Sequence, residues 1–422
     1  MITNRERERQ TLDFRRPEGR GVVEETFAPW DLTVERFKEE GLPVEIAEGV
    51  VGIVEDAIET KNLEIVDNIV VFTNHLESNE AVYEKNAPEE KYLQVKWGEG
   101  VMRYEEYLGF DPVRRIHFAL PFQCFDVKII EETTEHIMYR NTFGQQMIRN
   151  KVSQLEVEHR PVVVDWQDWE ALKERGDREL EKYYTEELIQ KAFGPLVPSH
   201  QRGDYSIRLN IKGFFWVPRE LMGIEAHLFA FYDEPELLHD MNEYILKIYQ
   251  NQLMKVLEWV QPDVIYILED LSGGDGPMIS PECFDEFVGA YYKRLFPLLK
   301  KAGVGNVMID TDGDFEQLIP NFIETGVDGF LPMDVNAGMD IVEIRKKFPN
   351  LKFIGSFNKL EIAKGREAID REFQRLLPVI RQGGFIPGAD HQVAPSTSLE
   401  DYRYYITRLK EVMKQAGADI VM

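Results

Sequence analysis

The 422-residue chain has only two cysteines, Cys124 and Cys283. Two thiols cannot staple a scaffold of this size, so a disulfide framework is excluded and a reducing, cytoplasmic setting is expected. Long apolar runs are also missing. Stretches such as Ile129-Ile130 and Val162-Val163-Val164 fall far short of the ~20 residues that cross a bilayer. No apolar stretch follows the opening Asn4-Arg5-Glu6-Arg7-Glu8-Arg9, so neither a secretory signal nor a membrane anchor is expected. Positive charge is scarce: 49 Lys and Arg face 75 Asp and Glu, a formal net charge of -26. Nucleic acids are held by cations on their phosphates, so a nucleic-acid partner is excluded and a polyanionic small molecule is disfavoured. The glycine-rich Gly273-Gly274-Asp275-Gly276 lacks the Lys-Ser/Thr of a phosphate loop, and no dinucleotide fingerprint is present. No NAD, flavin or PLP cofactor is indicated.

What is present is a substantial core, with 43% hydrophobic and 11% aromatic residues. From residue 206 onward, apolar strand patterns alternate with helical ones. Strands are expected at Ile207–Phe215, Val264–Leu268, Asn306–Ile309, Asp328–Leu331, Lys352–Gly355 and Gly384–Pro387. Helix starts are marked by Asp233-Glu234-Pro235-Glu236, by Ser280-Pro281 and by Thr397-Ser398-Leu399-Glu400. Six successive βα units favour a closed parallel barrel, whose first two strands must come from the N-terminal half. The expected fold is therefore α/β, a (β/α)8 TIM barrel with an N-terminal helical and irregular elaboration and an antiparallel β-meander insertion. Residues 1–205 would supply the elaboration, the first barrel strands and the meander near 125–148, and residues 206–422 the main βα repeats. Gly21–Phe27 reads as a first strand, 3–10 and 167–190 as helices, and 44–105 as irregular except for Ile69–Phe72.

Barrel enzymes keep their chemistry at strand C-termini. Those ends read Trp216-Val217-Pro218-Arg219-Glu220, Glu269-Asp270, Asp310-Thr311-Asp312, Asp334, Asn358-Lys359 and Asp390-His391. Side chains alternate along a strand, so Asp310 and Asp312 share a face. His391, Asp312, Asp310, Glu269, Asp270 and Arg219 are the catalytic candidates. Trp216, Glu220, Asp334, Asn358 and Lys359 are candidates for substrate contact. Asp310, Asp312, Glu269 and His391 form an oxygen-rich set with one nitrogen, suited to a divalent metal such as Zn, Mn or Fe. Without metal, His391 is the natural proton carrier.

At these residues the chain resembles the uroporphyrinogen decarboxylase superfamily, which includes corrinoid-dependent methyltransferases. Gly213-Phe214-Phe215-Trp216, Gly276-Pro277-Met278-Ile279-Ser280-Pro281, Leu318-Ile319-Pro320, Gly326-Val327-Asp328, Ala337-Gly338-Met339-Asp340 and Pro395 through Tyr402 carry the resemblance. It implies a (β/α)8 barrel. The decarboxylase holds its substrate with an Arg-rich Gln-Ala-Gly-Arg loop, where this chain has Thr26-Phe27-Ala28-Pro29-Trp30. The decarboxylase's active-site Tyr corresponds to the neighbourhood of Leu221 and its Ser to that of Asp270, while its late His is matched by His391. The methyltransferases place zinc-binding His-x-Cys at the position of Asp310-Thr311-Asp312, with a further Cys near His391. Here the soft ligands are gone. The resemblance thus implies methyl transfer between a small O- or N-methyl substrate and a corrinoid protein. The alternatives are decarboxylation of a porphyrinogen or other carboxylated substrate, and a non-catalytic tetrapyrrole-binding barrel. A homodimer is a further expectation.

Overall fold

A computed structural model describes residues 2–54, 63–66, 69–72, 92–95, 98–122, 125, 128–141, 144–151 and 156–418. Its centre is a run of seven parallel strands: β1 (Val113–Phe118), β2 (Ser206–Lys212), β3 (Val264–Leu268), β4 (Asn306–Thr311), β5 (Gly329–Pro332), β6 (Lys352–Phe357) and β7 (Phe385–Ala389). Each pairs with the next in chain order, as βα repetition requires. Alternation explains why these sequences form barrel strands. In β2, Ile207, Leu209 and Ile211 are fully buried in the main core, while Arg208 and Asn210 between them line an internal cavity.

The eighth position is filled without a regular ladder. The extended Gly21–Thr26 segment meets β1 through Asp111, whose amide donates to the Val23 carbonyl (2.7 Å) and whose carboxylate accepts from the Val23 amide (2.9 Å). On its other side the Glu25 carboxylate accepts from the Ala389 amide of β7 at 2.7 Å. A side chain thus takes the place of a backbone partner, and that is why a strand expected at Gly21–Phe27 is extended but not hydrogen-bonded as one. Gly388 permits the approach. A Cβ there would stand 2.5 Å from Thr26 Oγ1 and 3.0 Å from the Thr26 amide. Gly388→Ala is therefore expected to lower stability by about 1–3 kcal/mol, the usual cost of overpacking, as read by denaturant melts.

The opposite end of the barrel is sealed by the helix Asn4–Leu12. Leu12 and Val22 pack against Val264, Tyr266, Met308, Leu331, Ile354 and Ile386. From the same helix Glu8 reaches the buried guanidinium of Arg208, which also pairs with Glu24.

Several expectations from sequence need correction. Strand β1 was not anticipated, because Arg114, Arg115 and His117 interrupt its apolar pattern. Both arginines are buried against acids, Arg114 with Glu99 and Arg115 with Glu105. Residues 44–105 contain helices Val44–Val54 and Glu99–Leu108 and the antiparallel pair Leu63–Val66 and Ile69–Phe72. The meander has four strands, Lys128–Glu132, His136–Arg140, Gln146–Asn150 and Glu156–Arg160. The last was hidden by its alternating charges. The helix expected over 167–190 is two, Trp166–Tyr183 and Glu186–Phe193, because Thr185 caps the second by accepting from the Leu188 amide. Ser280 caps its helix as expected, whereas the cap before Leu399 is Ser398 rather than Thr397. Asp233 closes one helix instead of capping the next, which begins at Pro235. No helix among the described residues is long and apolar enough to cross a membrane.

Candidate active site

The C-terminal strand ends open on a cavity of about 420 Å³. Leu268, Leu331, Ile354, Phe27 and Ala28 give it apolar walls, and Arg115, Arg208, Asn210 and Tyr266 line it with polar groups. Asp310, at the end of β4, faces into it. The carboxyl is 7% exposed, and burial together with the nearby charges of Asp270 and Asp312 pushes its pKa well above the usual range. Its protonated form is favoured.

Two residues further on, Asp312 forms an ion pair with His391, Oδ1 to Nε2 at 3.1 Å. His391 Nδ1 lies 3.8 Å from Asp390 Oδ1, an ion-pair distance rather than a hydrogen bond. Burial alone would lower the imidazole's pKa, but Asp312 and Asp390 outweigh it and raise the value to about 10. His391 is therefore an imidazolium at neutral pH. Asp270 Oδ1 accepts from the Asp312 amide at 3.2 Å, and its own pKa is raised by burial and by Asp312. Strand ends β3, β4 and β7 thus bring Asp270, Asp310, Asp312 and His391 into one electrostatic group.

The backbone here is strained. Asp270, Met333 and Ser356, at or beside three strand ends, have φ of +36°, +63° and +60°. Such conformations cost about 1–3 kcal/mol each and gather where a rim must aim side chains against local preference.

Glu269 does not join this group. Its carboxylate accepts from the amides of Phe214, Phe215 and Trp216 at 3.1, 2.9 and 2.9 Å and from the Tyr292 hydroxyl. It caps the start of helix Trp216–Met222 and is fully buried. Strand alternation contains the signal: neighbours Glu269 and Asp270 point opposite ways, so only one can face the mouth. Arg219 donates to the Asp270 carbonyl at 2.5 Å and lies 4.9 Å over the Trp216 ring, so it braces the rim from behind. Glu220 pairs with Lys212 at 2.5 Å. Asp334 accepts from the Asn336 and Ala337 amides, and Asn358 caps the turn Lys359–Ile362. Lys359 donates its amide to Asp390 at 3.0 Å. None of these five substrate-contact candidates, Trp216 included, is among the described residues lining the cavity.

The donor sets do not fit the zinc site of the resembled methyltransferases. Asp310, Asp312 and His391 do not gather their ligand atoms, and Glu269 is committed elsewhere. Among the described residues, the group whose ligand atoms lie within 4.8 Å of one another is Asp334, Asp390 and His391. Asp390 already accepts from the Val335 and Lys359 amides, and Asp334 is a turn cap, so these carboxylates are accounted for by the loops they hold.

The sequence reading missed Arg115, Arg208, Asn210, Tyr266, Phe27 and Gln392, all of which line the cavity. Arg208 and Asn210 could have been found, since their alternation with Ile207, Leu209 and Ile211 marks a polar lumen face.

The buried acids set a pH dependence of stability. Burial raises Glu25 and Glu269 from 4.5 to about 7 and lifts Glu24 as well, so the folded chain holds more protons than the unfolded one above pH 4.5. Stability then falls as pH rises. The His391 contribution, complete below 6.5, is lost toward 10. His117 and His227, held neutral by burial to about 4 and 3, act in the opposite sense, but only below 6.5. The melting temperature is expected to fall between pH 6.5 and 10 at constant ionic strength. A rise in calorimetric scans would contradict these assignments.

Residues 209–412 match the model of the uroporphyrinogen decarboxylase (URO-D) family. A solved structure described as a methyltransferase from Methanosarcina mazei is similar in fold, with TM-score 0.56 and 13% identity over 97% of this chain and 99% of that chain. A vitamin-B12 independent methionine synthase candidate from Listeria monocytogenes overlaps 49% of this chain and 64% of its own, at 13% identity and a TM-score of 0.31, too weak to support an inference. No curated protein matches the sequence.

Proposed function

We propose that the chain is a methyltransferase that moves a methyl group between a small O- or N-methyl compound and a corrinoid protein. The observation that carries this reading is the placing of Asp310, Asp312 and His391, in place of soft metal ligands, beside an apolar-walled cavity. About 420 Å³ suits a small donor and is too little for a corrin macrocycle, so the corrinoid stays on its own protein and meets the donor at the rim. When bound, the reduced corrinoid supplies the electron pair that takes the methyl group.

This chain's residues manage the group left behind. In a methyl ether the carbon–oxygen bond breaks with its electrons on oxygen, which needs a proton to leave as an alcohol. The imidazolium of His391 holds one at pH 7, and burial favours the protonated carboxyl of Asp310. A methylated ammonium leaves as a neutral amine and needs no proton, only carboxylates that stabilise its charge beforehand.

Arg115 and Arg208 in the cavity favour a second reading, decarboxylation of a carboxylated substrate. Each is already paired with buried acids, however, Arg115 with Glu105 and Arg208 with Glu24 and Glu8. Little positive charge is left for a substrate. The test is absorbance of a reduced corrinoid protein mixed with the enzyme and a panel of methyl ethers and methylamines. Donor-dependent methylation is expected. Its absence, with carbon dioxide released from a porphyrinogen, would overturn the reading.

A further inference from the structure

Asp310 stands out among the described residues of the barrel mouth as a buried carboxyl with no hydrogen-bond donor. Its neighbours in function are all engaged: Asp312 by His391 (3.1 Å), Asp270 by the Asp312 amide, and Asp390 by the Val335 and Lys359 amides. Asp310 is 7% exposed and faces the cavity beside Leu268, Leu331 and Ile354. A carboxyl that receives no hydrogen bond from the protein and opens on a cavity is free to be completed by a ligand there.

The charges already inside the cavity do not supply that partner. Arg115 and Arg208 are tied to Glu105, Glu24 and Glu8, and the imidazolium of His391 lies between Asp312 and Asp390. A divalent metal is a poor candidate, because the ligand atoms of Asp310, Asp312 and His391 do not gather and the walls offer alkyl groups and a ring. Those same walls suit carbon-bearing cations, since Phe27 contributes an aromatic ring and Leu268, Leu331 and Ile354 contribute alkyl groups. The net charge of -26 concentrates cations at such a cleft.

We propose that the cavity binds a methylated ammonium compound, its positive charge against Asp310 and its methyl groups against the apolar walls. The entering cation displaces the carboxyl's proton to solvent, so Asp310 is ionised in the complex. This names the donor class and rests on the methyl-transfer reading for the ligand's fate. The nitrogen donor would give up one methyl, keep the electron pair of the broken carbon–nitrogen bond, and leave as a neutral amine.

The test is titration calorimetry of the full chain with choline and with its uncharged isostere 3,3-dimethylbutan-1-ol. Choline is expected to bind at least about tenfold more tightly to the native protein, and Asp310→Asn is expected to reduce that preference to near unity. Equal affinities would overturn the inference, as would a preference that survives Asp310→Asn. The comparison within the native protein needs no variant to fold. If choline does not bind while methyl ethers do donate their methyl group, the inference fails and the methyl-transfer reading stands. If choline binds selectively and no donor is turned over, the inference stands and that reading fails.

Discussion

Asp310→Asn is expected to lower kcat/KM for methyl transfer by roughly 10²-fold or more while leaving the chain folded. With an oxygen leaving group, the substitution removes a proton donor facing the cavity. With an ammonium donor, it removes the counter-charge. Both routes lose rate, and the pH profile tells them apart, since the ether reaction should lose a limb that needs Asp310 protonated and the ammonium reaction a limb that needs it ionised. The stability effect has the opposite sign from most buried substitutions. The carboxyl makes no hydrogen bond that would be lost, and it sits among the like charges of Asp270 and Asp312. Taking away an acid in that setting relieves repulsion, so the melting temperature should hold or rise. A variant that retains full activity, or that unfolds, would show that Asp310 does something else.

Gly213→Ala is expected to be strongly damaging, lowering stability by about 3 kcal/mol or more in chemical denaturation. The position follows β2 directly. A Cβ there would lie 2.1 Å from the carboxyl carbon of Glu269 and 2.3–2.4 Å from both of its oxygens. Glu269 cannot yield, because it holds three amides at the start of helix Trp216–Met222 and the Tyr292 hydroxyl. Moving it orphans those donors in the interior. The strain would reach the rim through Arg219, which lies on that helix and donates to the Asp270 carbonyl. A variant as stable as the parent would mean that the carboxylate is not the helix cap described here.

The C-terminal half of the fold was legible because its strands carry apolar runs or clear alternation and its helices carry local start signals. Val264–Leu268 is the clearest case, five apolar or aromatic residues between turns. The N-terminal half was illegible where charge is buried in pairs. Val113–Phe118 looks like a loop until Arg115 is matched with Glu105 on helix Glu99–Leu108. That partner, ten residues earlier, gives no local sign of the pairing. The closing segment at Gly21–Thr26 was readable as extended, but its links to the neighbouring strands run partly through the side chains of Asp111 and Glu25, which no strand pattern encodes. At the site, alternation placed Asp310 and Asp312 on one side of β4. Applied to Glu269 and Asp270, the same rule separates the residue at the rim from the one that caps a buried helix. The lumen residues Arg115 and Tyr266 carry no mark in sequence, since their place depends on which strand face the closed barrel turns inward.

The most direct measurement follows a labelled methyl group. The native enzyme is given a reduced corrinoid protein and, in parallel, isotope-labelled methyl ethers and methylammonium compounds, with a carboxyl-labelled porphyrinogen as the contrasting substrate. Label is expected on the corrinoid with at least one methyl donor, to fall sharply in Asp310→Asn, and not to be released as carbon dioxide from the porphyrinogen. Labelled carbon dioxide from the porphyrinogen, with no label reaching the corrinoid from any donor, would contradict a methyl-transfer site at the rim of this barrel.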